Sequence, residues 1–392
     1  MSDHNCHTFQ TKLLHHKHKT DPATGAVSVP MHLSSTFHQE DIDQFGKYDY
    51  ARSANPTREA LEQQIAELEG GCRGFAFASG MAAISTSFLL LSQGDHMIIS
   101  EDVYGGTYRM VTQVLSRLGI THTFVDMTDL DAVEQAIQPN TKAFYIETPS
   151  NPLLKVTDIR AVSELAKEKG ALTFVDNTFL TPALQQPLSL GADIVLHSAT
   201  KFLAGHSDVV AGLAVVKDED LANRLYFLQN SFGAVLGVQD CWLLMRGLKT
   251  LYVRLRHSVE AAGKLADYLN GHPLIKKVHY PGLKEHSGYF VHRSQAEGPG
   301  AVFSFELESE QLVRPFTSHL QIPVLAVSLG AVESILSYPA KMSHAAMPEA
   351  ERTKRGISNT LFRFSAGLED PEDIIADFEF ALAQSTIHTL AR

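Results

Sequence analysis

Lys201 closes the run Ser198-Ala199-Thr200-Lys201, just after an apolar stretch that ends at Leu196. A lysine held past a buried strand, between hydroxyl groups, loses hydration. That loss lowers its pKa and frees the amine as a nucleophile toward an aldehyde. A second apolar run, Leu172 to Val175, ends in Asp176, an acid placed to keep a proton on a ring nitrogen. Singly, each has an ordinary explanation, since most lysines are solvated and aspartate is a common turn residue. Together they suggest a pyridoxal-phosphate enzyme, with Lys201 as its Schiff-base lysine and Asp176 behind the pyridine nitrogen.

Other residues have the chemistry to bind the rest of such a ligand. Ser79-Gly80-Met81-Ala82-Ala83 stands between a strand-like and a helix-like run. A small-residue turn that opens a helix can aim backbone N–H groups at a phosphate. It is not a nucleotide loop, because neither GxxxxGK[ST] nor a GxGxxG after the first strand is present. Ser198 and Thr200 offer hydroxyls, and Tyr50 and Arg52 offer a phenol and a forked guanidinium. Tyr104, beside Gly105-Gly106, can lie flat on a planar ring. Arg363 lies between Phe362 and Phe364, so strand alternation turns it to the opposite face. If buried there it needs an anion, and a substrate carboxylate would serve.

These residues must be held by alternating helices and strands. Asn55-Pro56-Thr57 supplies a cap and a preset φ for a helix with Leu61, Ile65 and Leu68 on one stripe, ending at Gly70-Gly71. Apolar runs follow at 75–78, 97–99, 144–146, 172–175, 194–196 and 209–216, most separated by helix-like segments such as Ile159 to Lys169. That alternation predicts an α/β fold with a mainly parallel sheet covered on both faces. Trp242 to Ala266 reads as one long helix. Val302 to Phe305, Pro323 to Val327 and Leu361 to Ser365 read as strands of a smaller α/β domain. The expected division is an N-terminal arm over 1–50, a cofactor-binding domain over 51–255 and a C-terminal domain over 256–392.

A chain of 392 residues exceeds the usual size of a single core. A formal charge of −11 without a long basic run argues against nucleic acid or an anionic membrane as the main partner. The three cysteines, Cys6, Cys72 and Cys241, form no CxxC pattern and suit a reducing compartment. The apolar stretch Phe75 to Leu91 is broken by Ser79, Gly80, Ser85, Thr86 and Ser87, and no apolar signal core opens the chain. Both features point to the cytoplasm. The arm carries His4, His7, His15, His16 and His18, mixed with lysines and lacking regular ligand spacing. It reads as a polar arm lying on a neighbouring subunit, with no metal expected.

The ordered motifs carry a resemblance. Tyr50-Ala51-Arg52, Asn55-Pro56-Thr57-Arg58, Ser79-Gly80-Met81, Tyr104-Gly105-Gly106-Thr107 and Glu147-Thr148-Pro149-Ser150-Asn151-Pro152 come first. Asp176-Asn177-Thr178, His197 to Lys201, Gly205-His206-Ser207-Asp208, Ser328-Leu329-Gly330 and Arg363 follow in order. The set closely resembles the cysteine/methionine-metabolism (trans-sulfuration) family of pyridoxal-phosphate enzymes, over roughly residues 10 to 385. The resemblance implies the aspartate-aminotransferase-like fold type I and a homotetramer built as a dimer of dimers with shared active sites. It implies that Lys201 bonds the cofactor, Asp176 pairs with its ring nitrogen and Tyr104 stacks on the ring. Gly80, Met81, Ser198 and Thr200 would hold the phosphate from one subunit, Tyr50 and Arg52 from its neighbour. Asn151 would border both cofactor and substrate, and with Ser328 and Arg363 it would receive the α-carboxylate.

Members of the family differ in reaction. Methionine γ-lyases carry a cysteine where Gly106 stands. Arg109 matches an arginine with which cystathionine-handling members meet the far end of a long dicarboxylic substrate, although an ordinary helix-surface arginine is its bland alternative. Val327 stands where γ-synthases and γ-lyases have a glutamate, and Ser53 where some γ-synthases have a second arginine. These departures favour β-elimination of cystathionine to homocysteine, pyruvate and ammonia, a step of methionine biosynthesis. Lys201 would take the Cα proton, and Lys201 or Tyr104 would protonate the leaving thiol. Cystathionine γ-synthase, cystathionine γ-lyase and a non-enzymatic metal-binding protein using the His-rich arm stay open as alternatives.

Overall fold

The computed structural model describes residues 7–15, 20–345 and 347–390. His4, Cys6, His16 and His18 of the arm lie outside the described residues. The first long helix, Pro56–Glu69, starts where its cap predicts: Asn55 Oδ1 accepts the Thr57 and Arg58 N–H groups at 2.9 and 3.4 Å. It ends at Gly70 in the left-handed region, with Leu61, Ile65 and Leu68 buried.

Seven strands form the larger sheet: β1 (Arg73–Phe77), β2 (His96–Ser100), β3 (Thr121–Val125), β4 (Thr141–Glu147), β5 (Leu172–Asp176), β6 (Ile194–Ser198) and β7 (Gly212–Val216), in the order β1-β7-β6-β5-β4-β2-β3. Strands β3, β2, β4, β5 and β6 run parallel, while β7 is antiparallel to both β6 and β1. The change of direction has a local cause. Residues 199–211, which carry Lys201, contain no crossover helix, and a parallel connection needs one. One face packs Phe88, Tyr145 and Phe174 into a core, and the other packs Ile98, Phe144 and Val175 with the helix Ile159–Glu168. The carboxyl ends of β4, β5 and β6, the edge where open α/β sheets bind ligands, bring Glu147, Asp176 and Ser198 together.

The smaller sheet has five strands: β8 (Ile275–His279), β9 (Val302–Leu307), β10 (Val324–Leu325), β11 (Ile335–Ser337) and β12 (Leu361–Ser365), ordered β10-β11-β12-β9-β8. Its core is aromatic. Phe305 stacks on Phe362 at 5.6 Å, and Phe303, Phe316, Phe364 and Phe378 close around them. Phe362 and Phe364 face this core, so alternation sends Arg363 the other way, toward the larger sheet's ligand edge.

Two sequence readings need correction. The expected single helix over Trp242 to Ala266 is two helices, Val238–Leu248 and Leu251–Asn270. At the break the Gly247 carbonyl accepts from Thr250 N, Thr250 Oγ1 and an Arg254 Nη at 3.2, 3.2 and 2.8 Å. The leucine stripe continued through the break because both helices bury it in one core. The expected strand over Pro323 to Val327 is only Val324–Leu325. No helix among the described residues is long and apolar enough to cross a membrane.

Candidate active site

A cavity of about 410 Å³ opens at the ligand edge of the larger sheet and is roofed by the smaller one. All the expected site residues line it except Tyr50 and Arg52. Tyr50 is half exposed, and Arg52 donates to Asn230 O and Oδ1 at 2.6 and 2.9 Å. In its own chain neither side chain of this pair lines the cavity.

Lys201 stands three residues past the end of β6. Lys201 Nζ donates to Ser328 Oγ at 2.6 Å. Burial, helped by the Arg363 charge, pulls the amine down to about 8. Ser328 holds this contact from a left-handed backbone, φ 94°, a strained conformation for a serine and one that concentrates at functional sites. Its carbonyl accepts from an Arg363 Nη at 2.7 Å, and the other Nη donates to Asn151 Oδ1 at 2.8 Å. Arg363 is buried, and its Nε has no partner. No carboxylate among the described residues pairs with it within 4 Å. A buried guanidinium with a spare donor and no anion is incomplete until an anion binds.

The acid end is equally buried. Asp176 Oδ1 accepts from Thr178 N at 3.0 Å, and Oδ2 from the Tyr145 hydroxyl at 3.2 Å. Burial raises its pKa, against the Thr178 hydrogen bonds and the neighbouring His197. Glu147 accepts the Tyr104 N–H with both oxygens, at 3.1 and 3.0 Å, and so fixes the backbone from which the Tyr104 ring projects. No role was assigned to Glu147 or Thr178 from sequence. The signal for Glu147 was present, because the apolar run 144–146 ends in it as the run 172–175 ends in Asp176.

The phosphate-type cradle also forms. Ser79 caps the helix Gly80–Phe88 by accepting Ala82 N at 3.0 Å. A Cβ on Gly80 would fall 2.9 Å from Ser198 Cβ, so this turn and the Lys201 segment approach only with glycine there. Thr178 Oγ1 accepts the Ser198 N–H at 2.8 Å, and Thr200 Oγ1 exchanges hydrogen bonds with the Ala211 backbone at 3.0 and 3.3 Å. A Cβ on Gly106 would meet the Tyr104 ring at 2.4 Å and Met81 Sδ at 2.7 Å. A cysteine there does not fit these positions of Tyr104 and Met81. Met342 and Ser343, not expected from sequence, complete the roof. The desolvated amine, the buried acid, the glycine cradle and the incomplete arginine fit pyridoxal phosphate and an amino acid.

The comparisons agree with this geometry. Residues 10–383 match the model of the Cys/Met metabolism PLP-dependent enzyme family. A "Cystathionine beta-lyase MetC" of Bacillus subtilis (strain 168) is 64% identical over 384 residues, covering 98% of each chain. A "Cystathionine gamma-lyase" of the same organism is 51% identical, covering 95% of this chain and 98% of its own. The crystal structure of cystathionine γ-lyase from Lactobacillus plantarum complexed with L-serine superposes with a TM-score of 0.95 at 48% identity, over 97% of this chain and 100% of that one. With a fold type I architecture and a site suited to pyridoxal phosphate, the chain belongs to the Cys/Met metabolism family of PLP-dependent enzymes.

Proposed function

We propose that the protein cleaves cystathionine by β-elimination to homocysteine, pyruvate and ammonia, the reaction that serves methionine biosynthesis. The observation that carries this reading is the charge pattern of the cavity. Arg363 and Arg109 line it, and its two carboxylates, Glu147 and Asp176, come from the ends of β4 and β5. Two arginines suit the two carboxylates of cystathionine. Val327 lines the cavity as an apolar wall and gives no anchor for an amino group on the Cγ side. The 64% identical relative named cystathionine β-lyase supports the same reading.

Pyridoxal phosphate, when bound, supplies an electron sink for the charge left at the substrate Cα. Gly80, Met81, Ser198 and Thr200 would hold its phosphate, Tyr104 its ring face, Asn151 its edge and Asp176 the proton on its nitrogen. Arg363, Asn151 and Ser328 receive the α-carboxylate. Lys201 Nζ, neutral for an appreciable fraction of the time near pH 7 because burial lowers its pKa, takes the Cα proton. The Cβ–S bond then breaks, and the departing sulfur takes a proton from Lys201 Nζ or the Tyr104 hydroxyl. Water completes the balance: cystathionine and water give homocysteine, pyruvate and ammonia.

Identifying the keto acid released from cystathionine tests the reaction. Pyruvate is expected, and Val327→Glu should raise the share of 2-oxobutyrate. Mainly 2-oxobutyrate from the parent, or a preference for joining cysteine to a homoserine ester, would defeat the β-elimination reading.

The proposal extends to assembly: a cytoplasmic homotetramer, a dimer of dimers in which Tyr50 and Arg52 reach the neighbour's phosphate. Support comes from their position off their own cavity and from exposed apolar side chains at Leu33, Phe45, Phe227 and Phe232. The free thiols Cys72 and Cys241 suit a reducing compartment. The separate sheets support a division into an arm over 1–50 and domains over 51–255 and 256–392, although residue 255 lies inside the helix Leu251–Asn270. Mixing inactive Arg52→Ala with inactive Lys201→Ala protein should restore activity in hybrid dimers. No recovery after verified subunit exchange would sink the shared site.

A further inference from the structure

Glu147 and Asp176 stand directly opposite each other at the ends of the neighbouring parallel strands β4 and β5. Both are buried, and no lysine or arginine among the described residues pairs with either within 4 Å. The groups that bear on Glu147 are Asp176 and Asp102, both acidic, and the Tyr104 and Asn151 N–H groups. Tyr145, from its own strand, gives its hydroxyl to Asp176 instead, and Arg363 acts on Glu147 only at longer range. Two buried carboxylates this close cannot both ionise cheaply, so the pair holds one proton. Asp176 is the better place for the charge: the Thr178 N–H and hydroxyl, the Tyr145 hydroxyl and the neighbouring His197 all favour its anion, whereas Glu147 has backbone N–H donors only and Asp102 acting against its charge. Burial and the Asp176 charge drive Glu147 well above the usual carboxylate range.

We propose that Glu147 is a positioning residue that works as a neutral acid: it accepts the Tyr104 N–H, fixing the ring that covers the cofactor, and leaves Asp176 as the sole anion facing the ring nitrogen. The inference rests on reading the cavity as the pyridoxal-phosphate site. A neutral acceptor and a charged one predict opposite rankings of conservative variants. Glutamine keeps the length and a carbonyl acceptor and cannot ionise. Aspartate keeps the ionisable carboxyl and shortens the reach.

The test uses the holoenzyme, reading the visible circular-dichroism band of bound pyridoxal phosphate and its dissociation constant alongside KM and kcat. Glu147→Gln should stay within about threefold of the parent in dissociation constant and keep the band's sign and size. Glu147→Asp and Glu147→Leu should each weaken cofactor binding by about five- to tenfold, the upper part of the range for losing an intramolecular hydrogen bond, and diminish the band. Glu147→Gln as damaging as Glu147→Leu, or Glu147→Asp as good as the parent, overturns the neutral-acid role. Absence of the visible band from the parent protein would instead overturn the site reading beneath it.

Discussion

Lys201→Ala is expected to lower turnover by at least about a hundred- to ten-thousandfold, the range for losing a positioned general base, and to abolish the covalent lysine–cofactor link. Cofactor that can still be fixed to the variant by borohydride would contradict the assignment. The same amine gives a pH signature. Burial lowers it from 10.5 to about 8, so at pH 7 about one molecule in ten carries a free amine, against roughly one in three thousand for a solvated lysine. Attachment of pyridoxal phosphate to the cofactor-free protein should therefore accelerate as pH rises toward 8 and level off above it. The stability sign follows from the same depression. Below about pH 8 the amine is charged in both folded and unfolded chains, and the folded state bears the full cost of burying it. Between about 8 and 10.5 that cost fades. Lys201→Met should raise the melting temperature of the cofactor-free protein more at pH 7 than at pH 10, and an equal shift at both would count against a desolvated amine.

Arg363→Ala should reduce kcat/KM for cystathionine and for cysteine alike by about ten- to a hundredfold, because charge-assisted hydrogen bonds at a desolvated site contribute about 1.5–3 kcal/mol. Arg363→Lys should recover little of it. The ammonium cannot reproduce the fork that meets Asn151 Oδ1, the Ser328 carbonyl and an incoming carboxylate together. Arg109→Ala should hurt cystathionine more than cysteine, because only the longer substrate has a distal carboxylate. Equal losses for both substrates in Arg109→Ala would remove Arg109 from that role.

The sequence by itself pointed to most of the residues that line the cavity and to much of the element order. Asn55 and Gly70 bracket a helix as their backbone chemistry requires. Short apolar runs became strands because each is buried on both faces of a covered sheet. Phe362-Arg363-Phe364 announced by alternation that the arginine faces away from the aromatic core. Lys201 and Asp176 were legible because each directly follows or ends such a run.

What the tertiary structure decided lies between elements distant in sequence. The break between the helices Val238–Leu248 and Leu251–Asn270 has no proline, and its carbonyl is satisfied by Thr250 and Arg254, which the leucine periodicity does not register. Strand β3, Thr121-His122-Thr123-Phe124-Val125, lies at the sheet edge, where less burial weakens the apolar signal. Glu147 could be read as a strand-end residue. Only the register of β4 on β5 sets it against Asp176, and only the fold brings the Tyr104 N–H to it. Ionisation depends on distance and burial, and a linear sequence supplies neither for residues 29 positions apart.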